Sequence, residues 1–151
     1  MNDRRAIRVL IVDDDVLALE AIQNDLEKSG YTVAGSAVNG QQAVALTQTL
    51  RPDVVLMDIK MPKLDGIAAA RQIQDVCPTP VVILTAHEAP ELVEQVRDAG
   101  VGGYLIKPPD ARKIDRAITI ALARFADLME LRRLNAGLRA EIAERKQAEA
   151  A

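Results

Sequence analysis

Short apolar runs separated by longer stretches of mixed polarity make up most of the chain. Four runs, at 7–12, 53–57, 80–85 and 103–107, are continuous rather than alternating and are rich in Val and Ile. Such runs are typical of strands that are buried on both faces of a parallel sheet. A fifth run, at 31–38, is weaker and alternates more, as an edge strand would. The pattern therefore predicts five strands.

Between these runs, apolar residues recur at helical spacing. The pattern predicts helices at 15–29, 40–50 and 65–76, a fourth from about Pro90 to Gly100, and a last one capped by Asp110. Strands that alternate with helices imply crossover connections and a sheet covered by helices on both faces. The expected fold class is α/β, a doubly wound five-stranded parallel sheet in the flavodoxin-like order 2-1-3-4-5, with an extended C-terminal helix.

Polar side chains stand at the carboxyl ends of four of the strands. The first strand ends in Asp13 and Asp14, and the third, fourth and fifth end in Asp58, Thr85 and Lys107. In a sheet of this order, the site lies beyond the carboxyl ends of the strands, beside the first strand. We therefore expect three carboxylates, one hydroxyl and one ammonium group to converge there.

Clustered carboxylates repel one another unless a cation lies among them. Two or three of them make an oxygen-only site, and Mg²⁺ is the expected ion because few protein ligands leave room for waters and a phosphate oxygen. The Lys107 ammonium and the Thr85 hydroxyl would add a cradle for the oxygens of a transferring phosphoryl group. Asp58, on the central strand, is the expected nucleophile and would become an aspartyl phosphate.

The composition indicates which residues build the core and argues against several classes of protein. Hydrophobic residues make up 49% of the 151 residues and aromatic residues only 2%, so Val, Ile, Leu and Ala must build the core. The formal net charge of -3 gives no signal for direct nucleic-acid binding. Cys77, the single cysteine, excludes an internal disulfide and suits a cytoplasmic protein. We expect no membrane span, because no apolar run reaches about 18 residues. We also expect no signal peptide, because the N-terminal MNDRRAIRVL carries charges but no long apolar region before a cleavage site.

Four segments, LIVDDD, VVLMDIKMPKLDG, VVILTA and GYLIKP, resemble the receiver domain of two-component response regulators over roughly residues 6–126. The resemblance implies that a histidine kinase or a phosphotransfer protein phosphorylates Asp58. It also implies a Mg²⁺ site formed by Asp13, Asp14, Asp58 and the backbone carbonyl of Lys60, with Asp14 as a direct ligand and Asp13 acting through water. The chain would then be a phosphoacceptor switch rather than an enzyme.

The same resemblance implies roles for further residues. Thr85 would rotate to bind a phosphoryl oxygen, and Tyr104 would be the switch aromatic that moves inward on activation. Pro108 would follow a cis peptide bond that aims Lys107 into the site. Pro109 departs from the family, which commonly has an aromatic residue there, and we expect only the start of the last helix to differ.

Three residues beside the site need separate interpretations. Asp15 is expected to cap the helix that begins at Val16 rather than to bind the metal. Lys60 and His87 each lie two residues beyond a site residue and should flank its mouth. We hypothesise that they tune how readily water attacks the aspartyl phosphate, the alternative for each being a solvated loop side chain.

The last helix is longer than a receiver needs. The chain stays helix-favouring from Asp110 to Ala151, and about 40 residues would span roughly 60 Å. Core positions of a parallel two-stranded coiled coil fall on Leu128, Asn135 and Ile142 at a, and on Leu131 and Leu138 at d. Residues 1–126 would be the receiver domain and 127–151 a coiled-coil extension that joins two copies, the alternative being a single amphipathic helix that folds back or frays.

The extension resembles connector helices that join receivers to downstream modules, including the coil before the RNA-binding ANTAR module of some antitermination regulators. Either the chain is truncated before such an output module, or the coil is itself the output. The process controlled could then be transcription antitermination.

Two other functions fit part of the pattern. A phosphohydrolase of the haloacid dehalogenase type also uses Asp, Thr, Lys and Mg²⁺ at strand ends. Its nucleophile, however, lies on the first strand, which would be Asp13, and an acidic pair follows its Lys, where this chain has Pro108 and Pro109. A receiver-like scaffold that serves only dimerisation is the third interpretation, and the complete acidic set argues against it.

Overall fold

The computed structural model describes residues 6–61, 63–86, 94 and 101–150. These residues form one parallel sheet in the order β2-β1-β3-β4-β5, with strands β1 (Arg8–Val12), β2 (Thr32–Ala37), β3 (Val54–Asp58), β4 (Val81–Thr85) and β5 (Gly103–Ile106). They also form four helices, α1 (Val16–Lys28), α2 (Gly40–Leu50), α3 (Gly66–Val76) and α4 (Ala111–Ala150). The predicted doubly wound α/β fold with an extended C-terminal helix is confirmed. The helix predicted between Pro90 and Gly100 lies outside the described residues, apart from Glu94, and so does His87.

Both faces of the sheet are covered, which explains the continuous apolar runs. Every residue of β3 and β4 is buried. Because successive side chains of a strand point to opposite faces of the sheet, each strand contributes side chains to two core layers. One layer packs Ile11 and Leu56 against α1 and α4, where Ile114 is buried. The other packs Met57 against α2 and α3, where Ile73 is buried.

Side-chain caps set the starts of the helices. Asp15, Asp65 and Asp110 each accept a hydrogen bond from a backbone N–H in the first turn of α1, α3 and α4, at 3.0, 2.8 and 2.8 Å. A cap of this kind satisfies an N–H group that has no partner within its own helix. The prediction that Asp15 caps the first helix is therefore confirmed.

The 40 residues of α4 change character along the helix. The first turns pack on the sheet through Ile114, Ile118 and Ala121, each at most 1% exposed. Tyr31 adds an anchor, since its hydroxyl donates to the Asp115 carboxylate. All side chains from 130 to 148 are exposed. Even so, no helix in the described part of the chain is long and apolar enough to cross a membrane.

Candidate functional site

Three carboxylates meet at the carboxyl ends of β1 and β3. These two strands pair in parallel with Val12 opposite Met57, so the residues that follow lie side by side. Asp13, Asp14 and Asp58 each offer one oxygen, and these oxygens all lie within 4.8 Å of one another. Asp13 is fully buried, Asp58 is nearly so, and Asp14 is exposed. The cluster therefore has a closed side in the protein and an open side toward solvent.

Asp13 is held in place from two directions. Its Oδ1 accepts a hydrogen bond from the backbone N–H of Asp15 at 2.9 Å, and its Oδ2 accepts one from Lys107 Nζ at 2.7 Å. Its own backbone N–H donates to the carbonyl of Ala37 on β2 at 3.1 Å. A buried carboxylate needs such donors to offset its lost hydration. Asp13 therefore orients the lysine as well as contributing charge.

Lys107 joins the cluster from β5, two strands away from β3. Its Nζ lies 3.3 Å from Asp58 Oδ1, so one ammonium group contacts both buried carboxylates. The backbone N–H of Lys107 donates to the carbonyl of Thr85 at 2.7 Å, which ties the end of β5 to the end of β4. The peptide bond between Lys107 and Pro108 is cis.

The proton affinities of Asp58 and Lys107 reflect this crowding. Burial raises the pKa of Asp58 above its ordinary value, and the neighbouring charge of Asp13 adds to the rise, while Lys107 opposes it without cancelling it. Burial by itself would lower the pKa of Lys107, but the hydrogen bond to Asp13 and the negative charges of Asp58 and Asp13 outweigh it and raise that pKa. Lys107 is therefore held as a cation beside a carboxylate whose ionisation the site opposes.

The loop after β3 closes tightly around Asp58. The backbone N–H of Gly66 donates to the carbonyl of Ile59 at 2.8 Å, and the N–H of Ile59 donates to the carbonyl of Leu84 on β4 at 3.0 Å. A Cβ added at Gly66 would lie only 2.2 Å from the backbone oxygen of Asp58. Only glycine permits this approach, so Gly66 fixes the path of the loop.

The remaining predicted site residues take different places. Thr85 is 4% exposed at the carboxyl end of β4, the strand beside Asp58. Tyr104 is half-buried on β5, opposite Ile83 on β4. Lys60 lies in the loop after β3 with its side chain exposed.

Two features of the site were missed from the sequence. One is the role of Gly66, which the Asp-Gly pair after an apolar strand could have suggested as a tight turn as well as a helix start. The other is Gly40 at the start of α2, where an added Cβ would lie 2.2 Å from the backbone oxygen of Leu64. Nothing in the local sequence indicates that second approach, because it joins segments 24 residues apart.

Comparison with known proteins gives one consistent result. The family model described as the response regulator receiver domain matches residues 9–119. The transcriptional regulatory protein PdtaR of Mycobacterium tuberculosis is 42% identical over 124 residues, which are 82% of this chain and 60% of PdtaR. The transcriptional regulatory protein YdfI of Bacillus subtilis is 35% identical over 116 residues, 76% of this chain and 54% of YdfI. The chain thus matches little more than half the length of these relatives.

Solved structures agree. The response regulator domain of Thermotoga maritima CheB superposes with a TM-score of 0.74 at 29% identity, over 79% of this chain and 98% of that one. A structure described as a yeast Spc42 trimeric coiled coil fused to another structure superposes with a TM-score of 0.75 at 30% identity, over 93% of this chain and 99% of that one. With the fold, the acidic cluster and the lysine in place, the chain belongs to the family of response regulator receiver domains, the phosphorelay modules of two-component signalling.

Proposed function

We propose that this chain is a cytoplasmic protein that accepts a phosphoryl group on Asp58 from the phosphohistidine of a histidine kinase or phosphotransfer protein, and that Mg²⁺ is required. The observation that carries the proposal is the position of the Lys107 ammonium, 3.3 Å from Asp58 Oδ1, beside a cluster of three carboxylates. A nucleophilic carboxylate, a fixed cation and an acidic cation site are the parts that phosphoryl transfer needs.

Oxygen donors alone, close enough together to share one small hard cation, fit Mg²⁺. Asp13, Asp14 and Asp58 would hold it, together with the backbone carbonyl of Lys60. When bound there, Mg²⁺ would neutralise negative charge on the phosphoryl oxygens. The open side of the cluster at exposed Asp14 leaves room for waters and a phosphate oxygen.

In the transfer step, a carboxylate oxygen of Asp58 attacks the phosphorus in line with the P–N bond of the phosphohistidine. A P–O bond forms as the P–N bond breaks, and the bonding electrons leave with the imidazole nitrogen. Lys107 pairs with the negative phosphoryl oxygens, since its ammonium already lies beside Asp58. Thr85, at the end of the neighbouring strand, donates its hydroxyl to a second phosphoryl oxygen.

The new phosphoryl charge would then bias the receiver between two conformations. Thr85 and Tyr104 would carry the change away from the site. Thr85 ends β4, the strand beside Asp58, and Tyr104 lies on β5, the next strand and the edge of the sheet. Exposed Lys60 would slow the attack of water on the aspartyl phosphate, as would His87, which lies outside the described residues.

The test is phosphorylation of the whole chain by a small acyl phosphate donor, followed by intact mass and by mapping of the modified residue. We expect one phosphoryl group on Asp58, at least roughly tenfold slower modification without Mg²⁺, none in Asp58→Asn, and normal modification in Asp75→Asn, an exposed control. Modification of Asp13 instead would favour the phosphohydrolase. No modification at any position would leave only a scaffold.

A second proposal concerns the extension, where the chain would form a parallel homodimer. Its apolar side chains are exposed, with Leu131 63%, Leu138 55% and Ile142 46% exposed. In the heptads given above, the e positions are basic (Arg132, Arg139, Lys146), and the g positions include Asp127 and Glu141. In a parallel pair, g faces the next e of the partner, so opposite charges meet.

Sedimentation of the whole chain over a range of concentrations tests the homodimer. We expect a reversible dimer that Leu138→Ser weakens by roughly tenfold or more, since an apolar side chain of this size contributes about 1.5–3 kcal/mol when buried. Glu20→Ser, an exposed change on α1, is the control. A wild-type chain that stays monomeric at every concentration would contradict this second proposal without touching the first.

The output of the full-length protein is a further part of the proposal. Two relatives bear the name transcriptional regulatory protein, which supports control of gene expression. Transcription antitermination through a module joined to the extension is the specific form we propose. It is tested by asking whether the full reading frame, expressed with its kinase, changes read-through of a terminator only when Asp58 is intact.

A further inference from the structure

The start of α2 lies directly against the loop that follows Asp58. Gly40, the first residue of this helix, is buried. A Cβ added there would lie 2.2 Å from the backbone oxygen of Leu64 and 2.7 Å from the Leu64 Cβ. Because carbon atoms in contact are about 3.5–4.0 Å apart, these distances mean steric overlap. The helix and the loop therefore touch with no side chain of residue 40 between them.

Leu64 belongs to a loop that is held at several points. The backbone N–H of Gly66 donates to the carbonyl of Ile59 at 2.8 Å, which closes the loop at its base. Lys63 has a φ of 68°, in the left-handed region that residues other than glycine seldom adopt. The side chain of Leu64 packs against the core layer that the sheet shares with α2 and α3. A displacement of Leu64 would therefore be passed on to the rest of the loop.

The start of α2 is also tied to the strand that carries Asp13. The backbone N–H of Asp13 donates to the carbonyl of Ala37, the last residue of β2, at 3.1 Å. Only two residues separate Ala37 from Gly40. The first turn of α2 therefore connects the backbone of Asp13 with the loop after β3, the two sides of the acidic cluster.

Two side chains hold this connection in place. Asn39 Oδ1 accepts a hydrogen bond from the backbone N–H of Gln42 at 2.8 Å, and Gln42 Oε1 accepts one from the backbone N–H of Val38 at 2.9 Å. Caps of this kind satisfy N–H groups that have no partner at a helix start. They fix the position of Gly40 relative to the end of β2.

We infer that Gly40 is a positioning residue for the acidic cluster. Its contact with Leu64 sets how far the loop that carries the Lys60 carbonyl lies from Asp13. The inference rests on the proposed Mg²⁺ and phosphorylation site. Groups that only orient the ligands of a metal change its affinity by roughly 10- to 100-fold when they are altered. A wider separation of the two sides would therefore weaken Mg²⁺ binding although every ligand is still present.

The first test measures the Mg²⁺ dissociation constant of the unphosphorylated whole chain from amide chemical shifts. We expect Gly40→Ala to raise this constant roughly tenfold or more. The matched control is Gly102→Ala, where a Cβ would lie 2.9 Å from the Cβ of Ala121. That overlap lies at the amino end of β5, opposite the end of the sheet that bears the cluster. Gly102→Ala should lower stability in chemical unfolding and change the Mg²⁺ affinity less than about twofold.

The outcomes separate this inference from the proposed function. An unchanged Mg²⁺ affinity in Gly40→Ala, or an equal loss of affinity in both alanine variants, would overturn the inference. The proposed function would stand in either case, provided that the wild-type chain binds Mg²⁺ and is phosphorylated on Asp58. A wild-type chain that does not bind Mg²⁺ would refute the metal site and the inference with it.

The second test needs no metal. Hydrogen exchange of the Gly66 amide is compared with that of the Leu56 amide, which lies in a fully buried strand and reports global unfolding. We expect the ratio of the two rates to rise at least about tenfold in Gly40→Ala, because a displaced Leu64 loosens the bond from Gly66 to Ile59. The ratio should stay near that of wild type in Gly102→Ala. An equal ratio in the two variants would contradict the inference.

Two variants of Asn39 keep the inference testable if Gly40→Ala does not fold. Asn39 is only partly buried, and serine can replace its cap whereas alanine cannot. We expect Asn39→Ala to raise the Mg²⁺ dissociation constant about threefold or more and Asn39→Ser to stay within about twofold of wild type. Where Gly40→Ala does not fold, this pair decides the inference, and equal affinities in the two variants overturn it.

Discussion

Asp58 carries a charge that its surroundings oppose. Its pKa is raised, chiefly by burial and then by Asp13, so the folded state holds a proton there more tightly than the unfolded chain does. The stability that this proton confers is fully present below the ordinary pKa of an aspartate, about 3.9, and is lost as the pH rises through the raised pKa. At neutral pH the ionised group therefore costs stability.

This cost predicts that Asp58→Asn stabilises the metal-free chain. In a chelating buffer at neutral pH we expect the thermal midpoint to rise by a few degrees, and the gain to shrink as the pH is lowered toward 4, because wild-type Asp58 then takes up its proton. The measurement is a series of thermal melts of both proteins across that pH range. Asp75→Asn, at an exposed position, should show no gain, and a midpoint for Asp58→Asn below that of wild type at neutral pH would refute the argument.

At the scale of elements, the path of the loop after β3 depends on Gly66 having no side chain. A Cβ at Gly66 would meet the Asp58 backbone oxygen at 2.2 Å, a clash that only a backbone shift relieves. We expect Gly66→Ala to lower the free energy of unfolding by about 1–3 kcal/mol and to slow phosphorylation of Asp58 at least tenfold.

Gly103→Ala is the matched control for this change, because a Cβ there meets nothing within 4 Å. It should keep both stability and phosphorylation rate near those of wild type. Equal behaviour of the two alanine variants in chemical unfolding and in the phosphorylation assay would show that the loop has room to adjust.

Gly137 lowers the helix stability of the extension, and no close contact requires a glycine at this position. It lies inside α4, and a Cβ there would also meet nothing within 4 Å. Alanine favours the helix by about 1 kcal/mol over glycine. We expect Gly137→Ala to raise the helical circular dichroism signal on warming and to tighten the dimer a few-fold. In the proposed heptads Gly137 is at a c position, away from the seam, so the substitution acts through helix stability. Unchanged melting of the extension would mean that α4 does not fray there.

The elements themselves were predictable because their signals are local. Runs such as VVILT mark buried strands by composition, and the caps Asp15 and Asp110 mark helix starts by position. The convergence of Asp13, Asp58 and Lys107 followed from strand order alone. What escaped prediction depends on how distant segments approach.

Two details show this limit. The backbone N–H of Asp15 donates a hydrogen bond to the Asp13 carboxylate and so stabilises part of the acidic run. From composition alone, one would expect only repulsion among the neighbouring carboxylates. The register of β1 with β2 shifts between Val9 and Leu10, an irregularity of pairing that neither strand's sequence announces. Both are set by three-dimensional packing rather than by the pattern of either segment.

At the scale of the whole molecule, the receiver and the extension share one helix. The packed face of α4 is fixed by the core through buried Ile118, whereas the apolar side chains of the extension, such as Leu131 and Leu138, are exposed. A rotation or tilt of this helix at the receiver would therefore move its far end as well. In the proposed homodimer, the long helix would convert a local change at Asp58 into a change of geometry between the two copies.

The identity of residue 135 should decide how many copies assemble. In the proposed heptads, Asn135 falls at an a position between Leu131 and Leu138, and it is exposed in the single chain. A buried Asn at a favours two strands in fixed register at a cost in stability, whereas Ile is compatible with more strands when the other core positions are apolar. We expect Asn135→Ile to tighten association by roughly tenfold, about 1.4 kcal/mol, and to produce trimers beside dimers in sedimentation or native mass measurements. Asn24→Ile makes the same exchange at an exposed site on α1 and should leave the mass distribution unchanged. If Asn135→Ile associates no more tightly than wild type, residue 135 does not lie in a helix seam.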